Sequence, residues 1–185
     1  VMDANADAVI FFLDGFDGVR RAAEHPMVDI ITTSFGPIGS IPVPGIEDDT
    51  EYAVNEMGKL HTGACDNTGS TCVQDATRGP PSSIGIAGFQ EDGDRGKVMH
   101  CSGTAPDIVA DWTQNLPHHD SIDGYHDTSG TSFATPRTAG VLSLVIQELR
   151  EQYNDKGSGG RNGSLIYSEN ASITNYDIRR SMEKA

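Results

Sequence analysis

Basic residues are scarce in this sequence. The 185 residues include 13 Lys and Arg against 27 Asp and Glu, which gives a formal net charge of −14. A chain this acidic repels phosphate groups, so nucleic acids and anionic membrane surfaces are excluded as expected partners. The function is therefore sought among activities on other classes of molecule.

Long hydrophobic runs are also missing. No apolar run is long enough to span a bilayer, so no membrane partner is expected. The first residues, VMDANADAVIFFLDG, lack the basic flank of a secretion signal, which indicates a chain that is mature, cytosolic or incomplete. A length of 185 residues fits one domain, residues 1–185, with a core of useful size.

Cysteine is limited to three residues, Cys65, Cys72 and Cys101. The stretch CDNTGSTC could close a small disulfide loop, although the odd count leaves one thiol over. Buried thiols are an equally good interpretation. No pair of Cys or His residues has convincing zinc spacing, so no metal site is predicted from the residues alone.

Apolar runs alternate with amphipathic stretches in the first third of the chain. Ala8–Leu13 and residues 28–36 are typical of buried strands, and residues 59–65 form a weaker third candidate. A helix between the first two is expected to end at Pro26, and a second is predicted over Ile46–Met57. This order predicts an α/β fold of three layers, with a mostly parallel sheet and helices on both faces.

The rest of the chain combines turns, short strands and helices. Residues 82–89 and 107–113 are strand candidates, and a buried helix is predicted over about 132–153. Residues 154–164 are typical of a flexible linker, and a last helix follows with Thr174 or Asn175 as its N-cap. In parallel sheets the ligand site lies beyond the carboxyl ends of the strands, so the loops after strands two and three are the candidates.

The stretch GTSFATPRTAG, residues 130–140, combines small residues, hydroxyls and a proline at the start of the long helix. A serine there lies among unpaired N–H groups, and the helix dipole favours negative charge on an attacking oxygen or an oxyanion. Ser132 could instead be a simple helix cap, as could Thr131. That alternative does not account for Pro136 or for Gly140, which is expected to let another element pack closely on the helix.

This stretch resembles the serine motif of the subtilisin-like protease family, Gly-Thr-Ser-x-Ala-x-Pro with a Gly four residues later. The resemblance implies a subtilisin-like fold, incomplete at its N-terminus, and a serine-type endopeptidase that hydrolyses peptide bonds through an acyl-enzyme on Ser132. Other segments resemble the family in the same order along nearly the whole chain, but only the serine motif is highly specific. A lipase-like serine hydrolase is disfavoured, because Ala134 stands where its motif needs Gly.

The resemblance also implies a set of site residues. Asn67 takes the position of the oxyanion-hole asparagine, although DNTG is good turn chemistry in its own right. The resemblance assigns substrate binding to Ser34, Phe35, Gly36, Ala64, Cys65, Asp66 and Thr131. Asp66 replaces the glycine that the family usually has before this asparagine, and we expect it to favour basic substrate side chains. Equal cleavage of peptides ending in Arg and in Glu would exclude that preference.

The family's aspartate and histidine motifs, Asp-x-Gly and His-Gly-Thr-His, are missing from this chain. Its histidines are His25, His61, His100, His118, His119 and His126, and none has that setting. His126 precedes Ser132 by six residues and is interpreted as a loop histidine. The simplest account is that the chain is the C-terminal part of a catalytic domain, inactive alone, whose partner is the missing N-terminal part.

Two functions remain open at this point. The first is the endopeptidase, acting on peptide or protein substrates and, by resemblance, extracellular. The second is a non-catalytic peptide-binding or structural module that truly lacks the base. No cofactor is required for either. The family often has structural calcium sites, whose ligands cannot be placed in this sequence. The upstream gene sequence would separate the two functions.

Overall fold

Four parallel strands form the main sheet of the computed structural model, which describes residues 1, 4–15, 17–35, 44–65, 67, 83–89, 106–117, 124–155, 165–168 and 171–184. The strands lie side by side in chain order, as β1 (Ile30–Thr33), β2 (Leu60–Ala64), β3 (Ile84–Phe89) and β4 (Ile108–Asp111). In register, Ile30 lies opposite Leu60, and Ile86 lies opposite Ile108. The predicted parallel sheet is confirmed.

The helices follow the predicted order. They are α1 (Gly18–Glu24), α2 (Pro44–Glu51), which continues into a π-helical turn over Tyr52–Glu56, α3 (Thr131–Tyr153) and α4 (Asn175–Met182). Gly58, at a φ of +67°, follows the π-helical turn, where a residue without a side chain is least strained. Thr174 caps α4 in a reciprocal capping box with Asp177, so the predicted cap is confirmed.

Helices cover both faces of the sheet. Leu60 of β2 lies in one buried cluster with Leu142 of α3, and Ile30 packs against that cluster. The neighbouring residue Ile31 lies in a second cluster with α1 and the π-helical turn. Since successive side chains of a strand point to opposite faces, the two clusters lie on opposite sides of the sheet. The predicted three-layer α/β architecture is confirmed.

Two antiparallel hairpins were not predicted. β5 (Thr113–Pro117) pairs with β6 (Tyr125–Ser129), and β7 (Ile166–Ser168) pairs with β8 (Ala171–Ile173). The sequences of β5 and β6, TQNLP and YHDTS, are mostly polar and lack the apolar alternation that marks a strand. β6 leads directly into α3, so this hairpin helps to place the start of the long helix.

The first predicted strand is wrong. Ala8–Leu13 is irregular, and its side chains are largely exposed, with Val9 at 72 % and Phe12 at 92 %. A cavity of about 760 Å³ is lined both by this segment and by residues 28–33, in and beside β1. A strand needs a hydrogen-bonding neighbour, and no described strand pairs with this segment. The apolar composition of Ala8–Leu13 therefore predicts a strand where the structure has an irregular segment.

The long helix is anchored at both ends. Near its C-terminus, Arg150 donates to both carboxylate oxygens of Asp29, at 2.8 and 2.6 Å, which ties α3 to the start of β1. At its N-terminal half, a Cβ on Gly140 would lie 2.7 Å from the Val1 carbonyl oxygen and 2.8 Å from the Ala4 Cβ. The expectation that Gly140 allows close packing is confirmed, since the N-terminal residues lie there.

No helix among the described residues combines the length and the apolar character that crossing a membrane requires.

Candidate functional site

The carboxyl ends of β1 and β2 meet the N-terminus of α3. Ser34 follows β1, Cys65 and Asn67 follow β2, and α3 begins with Thr131 and Ser132. Hydrogen bonds join these three places across 98 and 64 residues of sequence. The structure therefore brings together residues that the sequence assigned to one site, at the edge of the sheet where ligands of parallel sheets bind.

Ser132 occupies the first turn of α3 and is half-buried. Its hydroxyl donates to the carbonyl oxygen of Ser34 at 3.3 Å, and the Ser34 hydroxyl donates to the Ser132 carbonyl oxygen at 3.0 Å. The N–H groups of a first helical turn have no helical acceptors and carry the positive end of the dipole. Ser132 thus lies where the positive end of the helix dipole favours negative charge on a nearby oxygen.

Asn67 is held by Thr131. Its Oδ1 accepts from the Thr131 backbone N–H at 2.7 Å. It also lies 2.9 Å from the Thr131 hydroxyl, whose single proton is donated either to this oxygen or to the Cys65 carbonyl oxygen. The amide nitrogen Nδ2 lies beside Gly130. A Cβ on Gly130 would lie 3.3 Å from this nitrogen, so a glycine at this position avoids a tight contact with the amide. The side chain therefore presents a donor beside the first turn of α3.

Thr131 is almost fully buried, at 1 % exposure. Besides Asn67, its hydroxyl contacts the Cys65 carbonyl oxygen. Two residues that follow β2, Cys65 and Asn67, thereby contact α3 through one side chain. The sequence assigned Thr131 to substrate binding, and the contacts add an anchoring role that only the fold reveals.

The other predicted substrate-binding residues differ in exposure. Phe35 is 48 % exposed, whereas Ala64 and Cys65 are buried. The last two therefore offer little surface to a ligand in this arrangement. Gly36 and Asp66 lie outside the described residues, as do Cys72 and Cys101, so both these roles and the cysteine pairing remain predictions.

His61 is fully buried within β2 and bonded through both ring nitrogens. Nε2 lies 3.0 Å from the Thr33 hydroxyl and Nδ1 lies 2.7 Å from the Ser83 hydroxyl. Burial lowers the pKa of His61 to about 3, because the charged ring would lose its hydration. This neutral histidine in β2 links β1 to the residue that precedes β3, and it is not available as a base for Ser132.

His25 and His126 lie elsewhere. His25 follows α1 and precedes β1, at the amino ends of the strands and so opposite the candidate site. His126 belongs to β6 and is exposed, which corrects its interpretation as a loop residue. Within the described part of the chain, no histidine ring lies within hydrogen-bond reach of Ser132. His100, His118 and His119 lie outside it.

The described part of the chain contains no cluster of side chains that could bind a metal ion. No three His, Cys, Asp or Glu side chains there lie close enough together to hold an ion. The expected structural calcium therefore remains a prediction without a site.

One contact near the site was missed. Arg137 of α3 forms an ion pair with Asp111 of β4 and donates to Gln114 of β5 at 3.1 Å. It fixes the second turn of α3 against the end of the sheet. In the sequence, the only indication of this contact is a single arginine, Arg137, within a stretch of small residues.

Comparison with solved structures shows the fold. The chain is similar to the prenylagaramide maturation protease PagA, with a TM-score of 0.61 and 20 % identity over 82 % of this chain and 57 % of that one. It is similar to sphericase, with a TM-score of 0.62 and 19 % identity over 91 % of this chain and 53 % of that one. A third is fervidolysin from Fervidobacterium pennivorans, a keratinolytic enzyme related to subtilisin, with a TM-score of 0.51, 19 % identity and coverages of 89 % and 28 %.

The fold of this chain is accordingly that of subtilisin-like proteases. No protein-family model and no curated protein matches the sequence. The chain spans just over half the length of PagA and of sphericase.

Proposed function

We propose that this chain carries the nucleophile and the oxyanion hole of a serine endopeptidase of subtilisin type. The observation that supports it best is the junction of Asn67, Thr131 and Ser132, where an amide donor is held beside the first turn of a helix that begins with a serine. The junction lies beyond the carboxyl ends of β1 and β2, which is where the ligands of parallel sheets bind.

In the proposed reaction, the Ser132 hydroxyl oxygen attacks the carbonyl carbon of the scissile peptide bond. The carbonyl oxygen becomes an oxyanion, which accepts hydrogen bonds from Asn67 Nδ2 and from the Ser132 backbone N–H. A base takes the hydroxyl proton and returns it to the departing amine. Water then hydrolyses the acyl-enzyme and regenerates Ser132.

A protein or peptide substrate would lie along the segment that follows β1. Residues 34–36 would pair with extended substrate backbone, which is the usual way in which strand edges bind peptides. Phe35 supports this role because nearly half of its surface is available. Asp66, beside the first specificity pocket by resemblance, would favour substrates with a basic side chain.

The base is proposed to come from chain outside these 185 residues. The buried His61 is neutral, and both of its ring nitrogens are hydrogen-bonded to hydroxyl groups. His25 lies at the opposite end of the sheet. β1 is an edge strand of the sheet that the described residues form, and this edge and the cavity beside it offer a surface that further chain of the same domain would cover. We also propose that the protein acts outside the cell, because its fold resembles that of secreted proteases.

Casein hydrolysis tests this proposal. We expect purified residues 1–185 to cleave casein very slowly, and a longer polypeptide with the upstream reading frame to cleave it well, until Ser132→Ala removes the activity. Robust cleavage by residues 1–185, lost in Ser132→Ala, would point to an internal base such as His126 or one of His100, His118 and His119.

The second candidate is a non-catalytic peptide-binding module. It is favoured by the hydrogen bond that the Ser132 hydroxyl donates to the Ser34 carbonyl, with no described histidine in reach. Peptide binding with no hydrolysis by the longer polypeptide, together with no effect of Ser132→Ala on binding, would support this module over the enzyme.

A further inference from the structure

A proline interrupts the hydrogen bonding of α3 at a defined point. Pro136 lies within the helix, four residues after Ser132. In an α-helix the carbonyl of one residue accepts from the N–H four residues later, and proline has no N–H. The Ser132 carbonyl therefore lacks the donor that the helix normally supplies to it.

Ser34 supplies a donor to that same carbonyl. Its hydroxyl lies 3.0 Å from the Ser132 carbonyl oxygen, although the two residues are 98 positions apart in sequence. In the opposite direction, the Ser132 hydroxyl lies 3.3 Å from the Ser34 carbonyl oxygen. The two residues thus exchange hydrogen bonds between the end of β1 and the first turn of α3.

We propose that Ser34 is a positioning residue for Ser132, and that its hydroxyl replaces the helical donor that Pro136 removes. The inference rests on the proposed function. The hydroxyl fixes the backbone of Ser132, while the Ser132 side chain can turn from the Ser34 carbonyl toward a base without moving that backbone. A nucleophile held in this way keeps its distance to the oxyanion donors, and small misplacements of such groups are costly to rate.

The same bond couples two functions. The segment after β1 is where substrate backbone is proposed to pair, and the first turn of α3 carries the nucleophile. Because one hydroxyl joins them, the scissile bond and the attacking oxygen share one rigid frame. The sequence assigned Ser34 to substrate binding, and it gave no sign of a link to Pro136.

A double-mutant cycle between Ser34 and Pro136 tests the proposal. Ser34→Ala removes the hydroxyl, and Pro136→Ala restores the helical N–H to the Ser132 carbonyl. In urea unfolding of residues 1–185, we expect Ser34→Ala to raise the unfolding equilibrium constant by about fivefold. In the Pro136→Ala background the same substitution should have little effect. Equal effects in the two backgrounds would overturn the proposal.

Ser34→Thr is the matched control, because it retains a hydroxyl. We expect it to recover most of the stability that Ser34→Ala loses. A loss as large as that of Ser34→Ala would contradict a role for the hydroxyl.

Kinetics of the longer polypeptide separate positioning from mere stability. Ser34→Ala should lower kcat more than it raises KM, and Pro136→Ala should restore part of the lost kcat. A change in KM alone would overturn the positioning role. If the unfolding cycle shows coupling while no variant hydrolyses substrate, the proposed function has failed, and the positioning role fails with it although the hydrogen bond is real.

Discussion

At the scale of single residues, Asn67 is the donor on which the proposed oxyanion hole depends. Its oxygen accepts from the Thr131 backbone N–H, which fixes the plane of the amide before any substrate arrives. We expect Asn67→Ala to lower kcat by about 10²–10³-fold with little change in KM, because the lost bond forms chiefly in the transition state. Steady-state hydrolysis of a peptide substrate by the longer polypeptide measures this.

Asn115→Ala serves as the comparison for Asn67→Ala. Asn115 lies on the β5–β6 hairpin, where its amide donates to Asp127 at 2.6 Å in an exposed pair. We expect its removal to leave kcat within about twofold of the wild-type value, since exposed pairs contribute little. A similar loss in both variants would mean that Asn67 acts through general stability rather than at an oxyanion.

His61 makes stability depend on pH. Its pKa is about 3 in the folded protein, against about 6.5 for a histidine in an unfolded chain. The unfolded state therefore binds the proton first, and the contribution of neutral His61 is complete above pH 6.5 and is lost as pH falls toward 3. Between pH 7.5 and 5.5 this loss amounts to about 1.4 kcal/mol in the free energy of unfolding.

Urea unfolding at these two pH values checks the prediction. His61→Gln should be less stable than the wild type at pH 7.5 and should lose about 1.4 kcal/mol less on going to pH 5.5. If the stability of His61→Gln depends on pH as strongly as that of the wild type, His61 is not the group responsible for the pH dependence.

The residues of the site could be predicted only in part. Ser132 and Asn67 stand in recognisable local patterns, so their assignments needed no structure. The contacts of Thr131 with Asn67 and of Ser34 with Ser132 join segments 64 and 98 residues apart. Such contacts depend on how strands and helix are placed in space, and no local pattern encodes them.

At the scale of elements, Gly140 determines how the N-terminal residues meet α3. A side chain there would collide with the Val1 carbonyl at 2.7 Å, which is backbone and cannot turn away. We expect Gly140→Ala to destabilise the fold by about 1–3 kcal/mol, despite the better helix propensity of alanine. Denaturant unfolding of the purified variant measures the change.

Gly45 provides the control for Gly140. It lies in α2 and a Cβ there would meet nothing within 4 Å, so Gly45→Ala should stabilise by roughly 0.5–1 kcal/mol. If both substitutions stabilise, the close approach of the N-terminal residues to α3 is not present in solution.

Elements with strong periodicity could be predicted, and those that depend on neighbours could not. The long helix, the capped last helix and the three strands β1, β2 and β3 follow from apolar pattern and cap residues. Ala8–Leu13 has equally apolar composition but no described partner strand, and it is irregular. The polar hairpin of β5 and β6 forms through backbone hydrogen bonds, and the pattern of its side chains does not predict that pairing.

At the scale of the whole molecule, the β1 edge of the described sheet and the apolar segment 8–13 are proposed to be covered by further chain. Phe12 is 92 % exposed, so Phe12→Asp should change the stability of residues 1–185 by less than about 0.5 kcal/mol. In the longer polypeptide, where Phe12 would be covered, the same substitution should cost about 1–3 kcal/mol. Unfolding of the two lengths in parallel measures the difference.

Val109→Asp, in β4 at the opposite edge of the described sheet, is the counterpart of Phe12→Asp. Val109 is 40 % exposed, and we expect its substitution to have the same effect in both lengths. An equal effect of Phe12→Asp in the two lengths would argue that nothing covers segment 8–13.

Mass spectrometry after treatment with a fluorophosphonate, which labels activated serines, tests the central claim that Ser132 is a nucleophile activated from outside these residues. The account predicts that the longer polypeptide carries the adduct on Ser132, that Ser132→Ala carries none, and that residues 1–185 react slower by several orders of magnitude. An adduct on another serine, or equal labelling rates for the two lengths, would contradict it.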